Sequence, residues 1–244
     1  MSQIIRFQNV SYSYAKGTPY EKKAIENVSF SVESYDFLGI YGLSGSGKST
    51  LLKLAAGLIK PSSGQIEIGR SARVGLVFQF PENQLFGSSV LEDVMFGPLN
   101  MGLEKDRARE MAETALRQMG LGAEFYNRSP FSLSGGEKRR AAIAGILAMD
   151  TDVLALDEPL AGLDPEGQES LCDILEGLNE KGRTIIVVSH DSDVLGRRCR
   201  SAVVLEDGKV SDCGNSGDVF SRNPGFAPLS LRVMEKVKAM GINL

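Results

Sequence analysis

The period of hydrophobic positions changes several times along the chain, and each change marks an element. Residues 4–14 alternate loosely through Ile5, Phe7, Val10, Tyr12 and Tyr14, while Val28, Phe30 and Val32 alternate cleanly. Both stretches predict strands with one covered face. Between them, Gly17-Thr18-Pro19-Tyr20-Glu21-Lys22-Lys23 is polar and turn-rich. A short apolar run at 37–40 is followed by a glycine-rich segment and then by Leu51-Leu52-Lys53-Leu54-Ala55-Ala56, which reads as a helix. Residues 65–68 and 74–78 read as further strands after a turn at 60–64.

The second half switches to a helical period. Between 104 and 119, Ala108, Met111, Ala112, Ala115, Leu116 and Met119 share one stripe, and Gly120 stands where a helix ends. A nearly all-apolar helix occupies 141–149, and another after 165 turns Leu171, Ile174, Leu175 and Leu178 inward. The continuous apolar runs 153–156 and 184–188 have the character of strands covered on both faces. Asp207-Gly208 between 202–205 and 209–211 predicts a type I′ hairpin. A last amphipathic helix is expected over 230–240, with Leu231, Met234 and Val237 inside.

Composition narrows the class. The 244 residues allow one large or two small domains, and an apolar fraction of 42% is ordinary for a globular chain. A net charge of −4 recommends neither nucleic acid nor an anionic membrane as a direct ligand. The start, Met1-Ser2-Gln3-Ile4-Ile5-Arg6, lacks the basic and apolar regions of a signal peptide. The apolar run 141–149 is well short of the ~20 residues that span a bilayer. Cys172, Cys199 and Cys213 are odd in number and follow no metal-ligand spacing. The expectation is a soluble cytoplasmic protein.

Chemistry concentrates in Gly42-Leu43-Ser44-Gly45-Ser46-Gly47-Lys48-Ser49-Thr50, set between an apolar strand and a helix. Such a strand–loop–helix is the context of a phosphate-binding loop. Its glycines bring backbone N–H groups close to phosphates, and the helix start adds its dipole. Lys48 is expected to reach the β- and γ-phosphates and the Ser49 hydroxyl to ligate Mg²⁺. A plain Gly/Ser linker would need neither flank.

Other strand and helix ends carry further candidates. Gln79 sits where a strand ends, placed either to touch Mg²⁺ or water or to cap a turn. Ser134-Gly135-Gly136 opens the 141–149 helix, where Ser134 is an anion contact or an ordinary cap; the bare glycines favour a ligand. Asp157 and Glu158 end an apolar strand, at the edge where α/β sheets bind ligands. Asp157 is expected to hold the metal, and Glu158 to orient and deprotonate an attacking water. His190, the one histidine, follows the 184–188 run. Tyr14 or Tyr12 offers a face to an adenine ring, or is an ordinary packing residue.

In this order the motifs resemble those of ATP-binding cassette proteins, over roughly residues 3–220. Residues 42–50 resemble the Walker A motif, Gln79 the Q-loop and Leu133-Ser134-Gly135-Gly136-Glu137 the signature. Residues 153–158 look like Walker B, 161–164 the D-loop and His190 the switch histidine. The resemblance implies an α/β P-loop NTPase fold, with a RecA-like mixed-sheet core, an antiparallel β subdomain and a helical signature subdomain at about 85–150. A cassette domain over 1–220 and a short helical extension over 221–244 are expected. It also implies a head-to-tail ATPase pair, with each ATP held between one subunit's P-loop and the other's signature helix. Tyr14 falls at the adenine-stacking position. Glu137 departs from the family's commoner Gln.

Within that family, residues 77–86 and Lys138-Arg139-Arg140-Ala141-Ala142-Ile143-Ala144 resemble the energy-coupling factor importers of vitamins or transition-metal ions, and residues 17–24 their second ATPase paralogue. The partners so implied are a different ATPase paralogue, a transmembrane coupling subunit and a separate substrate-binding membrane protein, with no nucleic acid. The chain is then expected at the cytoplasmic face of the membrane. Phe80, Leu85 and Phe86 around Glu82 suggest a groove for an arginine-bearing coupling helix. The competing readings are a soluble cassette ATPase of iron–sulfur assembly, or a conventional importer ATPase.

Overall fold

The computed structural model describes residues 2–190 and 192–233. Two compact units emerge, one from the chain up to Gly69 together with the part from Ile186 onward, the other Arg70–Ile185.

In the first unit, β1 (Gln3–Tyr14) pairs antiparallel with β2 (Lys22–Glu33) on one side and with β4 (Ser63–Ile68) on the other. Alternation selects the covered face: Ile5, Phe7, Val10, Ile25, Val28 and Val32 are buried, and Phe7 stacks on Phe30 across the pair. β3 (Phe37–Tyr41) is buried at every position and pairs in parallel with β8 (Ser201–Glu206). Asp207 and Gly208 both have positive φ, so β8 returns as β9 (Lys209–Asn215) through the primed turn the sequence predicts. The glycine-rich segment leads from β3 into α1 (Lys48–Ala55).

α7 (Ser216–Arg222) is tied to β9 by Arg222, whose Nε and Nη2 donate to the two carboxylate oxygens of Asp212. Val219 and Phe220 pack with Tyr41, Ala202, Val204 and Ala227, and Phe226 and Leu231 lie against the same cluster. The boundary expected at 220 therefore falls inside a continuous apolar core. Of the helix expected over 230–240, residues 234–240 lie outside the described residues.

The second unit combines a parallel strand pair with helices. β5 (Val74–Val77) runs beside β6 (Val153–Asp157), with Val77 opposite Leu156. α2 (Val90–Asn100), α3 (Lys105–Gln118), α4 (Ala123–Tyr126) and α5 (Gly135–Leu147) follow β5, and α6 (Pro165–Glu180) follows β6. α3 buries Ala108, Ala112, Ala115 and Leu116, with buried Met119 as its C-cap and Gly120 following in the left-handed region. β7 (Thr184–Ser189), buried throughout, carries the chain back to the first unit. Cys172 and Cys199 are buried and Cys213 is exposed, and Cys199 Sγ accepts from Tyr41 Oη.

Candidate functional site

In the first unit, the loop 42–47 is fixed from behind. Gly208 N donates to Ser46 O (3.0 Å) and Glu26 N donates to Gly208 O (2.8 Å), so the hairpin tip bridges β2 and the loop. Gly47 has φ 103°, and a Cβ there would lie 2.4 Å from Ala24 O. Only glycine meets both conditions. Gly45, at φ 83°, would place a Cβ in open space, so its bareness serves no packing within the chain.

Lys48 is nearly buried, and its Nζ donates to Gly42 O (2.7 Å) and Leu43 O (3.0 Å). Its ammonium is thus held over the loop. Ser46 Oγ is buried with no hydrogen-bond partner among the described residues. Leaving a buried hydroxyl unsatisfied costs about 1–3 kcal/mol, and a phosphate oxygen would complete it. α1 starts without a side-chain cap, leaving its leading N–H groups for an anion. Gly42, Leu43, Ser44, Gly45, Ser46, Gly47, Lys48, Ser49 and Thr50 thus form one cradle suited to phosphate.

Tyr14 and Tyr12 separate here. Tyr14 is 37% exposed, and its Oη lies 3.0 Å from Thr50 Oγ1 in α1, with the two tyrosine rings edge to face at 4.9 Å. Tyr14 is therefore the ring that stands over the loop's helix. His190 follows β7 and is exposed.

In the second unit, the register of β5 and β6 puts Gln79 and Glu158 at matching heights, each two residues beyond a paired position. Each strand leaves through a residue other than glycine with a left-handed backbone, Phe80 at φ 55° and Glu158 at φ 50°. Such conformations cost about 1–2 kcal/mol and persist only where neighbours impose them. Asp157 is 8% exposed, Glu158 half-buried and Gln79 exposed. Gln79 is not the residue that caps the following turn; Phe80 occupies that place before Pro81–Gln84.

Ser134 does cap α5. Its Oγ accepts from Glu137 N, and Glu137 Oε2 accepts from Ser134 N at 2.7 Å, a reciprocal capping box. Glu137, an unexplained departure in the sequence, thereby gains a local role. The bond from Ser134 N, chiefly, holds its carboxyl below the usual glutamate range. The glycines are not explained by capping: a Cβ on Gly135 would meet nothing within 4 Å. A cavity of about 250 Å³ brings Ser134, Gly136 and Arg140 together with Leu163, Asp164 and Ser170.

Two expectations for the segment after Gln79 change. Leu85 is buried and does not line an open groove, whereas Phe80, Phe86 and Phe96 are exposed, with Phe86 edge to face on Phe96 at 4.8 Å. Glu82 is already paired within the chain, both carboxylate oxygens being bound by Arg139. Sequence reasoning missed Arg139. The only signal was its place in a basic triplet at a helix start.

The first unit carries a cradle suited to phosphate, and the second an acid-ended strand and a glycine-opened helix, the parts expected of a nucleotide-hydrolysing cassette. The ABC transporter family profile matches residues 25–161. The energy-coupling factor transporter ATP-binding protein EcfA2 of Lactobacillus gasseri is 44% identical over 232 residues, covering 89% of this chain and 81% of that protein. The EcfA2 protein of Acetivibrio thermocellus is 40% identical over 252 residues, covering 96% and 90%. Among solved structures, cbiO1 from Clostridium perfringens, described as part of the ABC transporter complex cbiONQ, superposes with a TM-score of 0.83 at 34% identity, covering 99% of this chain and 100% of that one. A dimeric ATP-binding cassette in a post-hydrolysis state bound to ADP and Pi gives 0.76 at 31% identity, covering 87% and 98%.

The chain belongs to the ATP-binding cassette family of transporters. Within that family it is an ATP-hydrolysing subunit of the energy-coupling factor type. The soluble iron–sulfur and conventional-importer alternatives are not favoured.

Proposed function

We propose that two copies of this architecture, this chain and a different ATPase paralogue, close head to tail on two ATP molecules and drive a transmembrane coupling subunit at the cytoplasmic face. A separate membrane protein would bind the transported vitamin or transition-metal ion. One observation carries the reading: the chain offers two glycine-lined helix starts for phosphate, and the bareness of Gly135 answers no need within the chain. A pair of subunits gives both a ligand.

In this scheme Tyr14 stacks on adenine, residues 42–50 wrap the phosphates, and Lys48 neutralises the β- and γ-oxygens. Ser134, Gly135 and Gly136 present their N–H groups and hydroxyl to the γ-phosphate held by the opposite subunit. Ser49, Gln79 and Asp157 supply hydroxyl, amide and carboxylate oxygens, the hard donors that suit Mg²⁺. Mg²⁺, when bound, spreads the charge that develops on the transferring phosphoryl group. Glu158 takes the proton of the attacking water, and His190 orients that water toward the γ-phosphate. The exposed Phe80, Phe86 and Phe96 supply an apolar face for the membrane subunit.

Purifying the tagged chain from its native membranes and identifying what accompanies it tests the proposal. A second cassette ATPase plus multi-span membrane proteins is the expected set. Recovery of the chain by itself, or with soluble proteins alone, would reject the scheme.

A further inference from the structure

Arg139 lies in the second turn of α5, and its side chain is 3% exposed. Its guanidinium binds three places. Nε and Nη2 donate to Glu82 Oε2 and Oε1 at 3.2 and 2.8 Å, while Nη1 donates to Pro159 O at 3.0 Å and to Ala161 O at 2.5 Å. Its Cζ stands 5.8 Å from the centre of the Phe80 ring.

These contacts follow the two left-handed residues described above. Glu82 is in the turn entered through Phe80, and Pro159 directly follows Glu158. Ala161 N in turn donates to Glu158 O at 3.2 Å, so the loop 158–161 is closed on the glutamate's own backbone. Neither Phe80 nor Glu158 has the freedom of glycine, so each conformation depends on the contacts around it. Arg139 is a rigid fork that reaches both loops at once.

We infer that Arg139 is a positioning residue for hydrolysis: it pins the exits of β5 and β6 to each other and so sets the backbone from which Glu158 projects. The inference rests on Glu158 being the general base. It also gives Glu82 a role inside the chain, as the counter-charge that orients the fork. A buried ion pair with a purely structural role would affect folding and leave the rate per bound ATP alone. A positioning role separates the two. Lysine keeps the charge but, as a point donor, does not span Glu82 and two carbonyls.

The test compares Arg139→Lys, Glu82→Gln and Glu158→Gln in the full chain within its purified assembly, reading kcat, ATP affinity and melting midpoint. Arg139→Lys should lower kcat about 10- to 100-fold, the scale of a small misplacement of a reacting group, with ATP affinity within about threefold. In a Glu158→Gln background the same change should lower the residual rate by no more than about twofold, because it acts through that glutamate. Glu82→Gln, which keeps the shape and removes the charge, should lower kcat with the melting midpoint retained, and it carries the test if Arg139→Lys does not fold. Wild-type kcat in both variants would overturn the inference, as would an equal loss with and without Glu158. A Glu158→Gln chain with unchanged kcat would overturn the base assignment itself, and the inference with it.

Discussion

Tyr14 Oη and Thr50 Oγ1 lie 3.0 Å apart, so a strand residue is hydrogen-bonded to the helix that opens at Lys48. The tether holds the ring in place, as the proposed stacking on adenine requires. Tyr14→Ala should weaken ATP binding about tenfold, within the 1–3 kcal/mol typical of a stacked base. Tyr14→Phe keeps the ring and loses only the tether, and should stay within about threefold of the parent. Fluorescent-nucleotide titration distinguishes the pair. Equal losses would place the effect in the hydrogen bond, not in stacking.

Lys48 and Glu158 should fail in different ways. Lys48→Ala removes the ammonium that the loop carbonyls hold over the cradle, and should abolish measurable ATP binding. Glu158→Gln should slow hydrolysis by about 10²- to 10⁴-fold, the usual worth of a general base, and leave ATP bound. Single-turnover rates and equilibrium binding on the same preparations decide this. Parallel loss of binding in both would contradict the division of roles.

Gly135 offers a test that runs against helix propensity. Its Cβ would meet no atom within 4 Å, and alanine is the better helix former by up to about 1 kcal/mol. Gly135→Ala should therefore melt at the same temperature or higher, yet hydrolyse ATP at least about tenfold more slowly through crowding of the opposite subunit's nucleotide. A melting scan beside an ATPase assay reads both. Unchanged hydrolysis would remove the argument for a ligand at this helix start.

The pH dependence of folding should show the capping box. A carboxylate whose folded-state value is depressed contributes stability above the ordinary glutamate value of about 4.3, and that contribution is lost as pH falls through the lowered value. Glu137 is such a group, with Ser134 N as the main cause. Glu137→Gln keeps a box that does not titrate. Melting midpoints of the two proteins should run parallel near pH 7 and converge or cross below pH ~4 as the wild type loses its advantage. A constant offset through that window would show that the charge takes no part.

What the sequence revealed and what it hid divide along sequence separation. Alternation in β1 and β2, continuous burial in β3, β6 and β7, and the Asp207-Gly208 turn are local patterns, and each was legible. So was the strand–loop–helix around 42–50, because its glycines, lysine and flanks are contiguous. The bond from Arg139 to Glu82 joins residues 57 apart, and no local period encodes it. Leu85 likewise reads as one more apolar residue in an aromatic stretch, although its neighbours Phe80 and Phe86 are exposed and it is buried. The left-handed backbones at Phe80 and Glu158 were equally hidden, since neither residue type announces one.

The bond from Gly208 N to Ser46 O has a consequence for synthesis. A chain leaving the ribosome exposes all of residues 42–50 long before the hairpin tip that braces them exists. This brace on the loop's curvature forms only after translation has passed Gly208 and that turn has folded back. Nascent chains stalled short of that point should grip a nucleotide more weakly than the full chain, however complete their phosphate-binding motif.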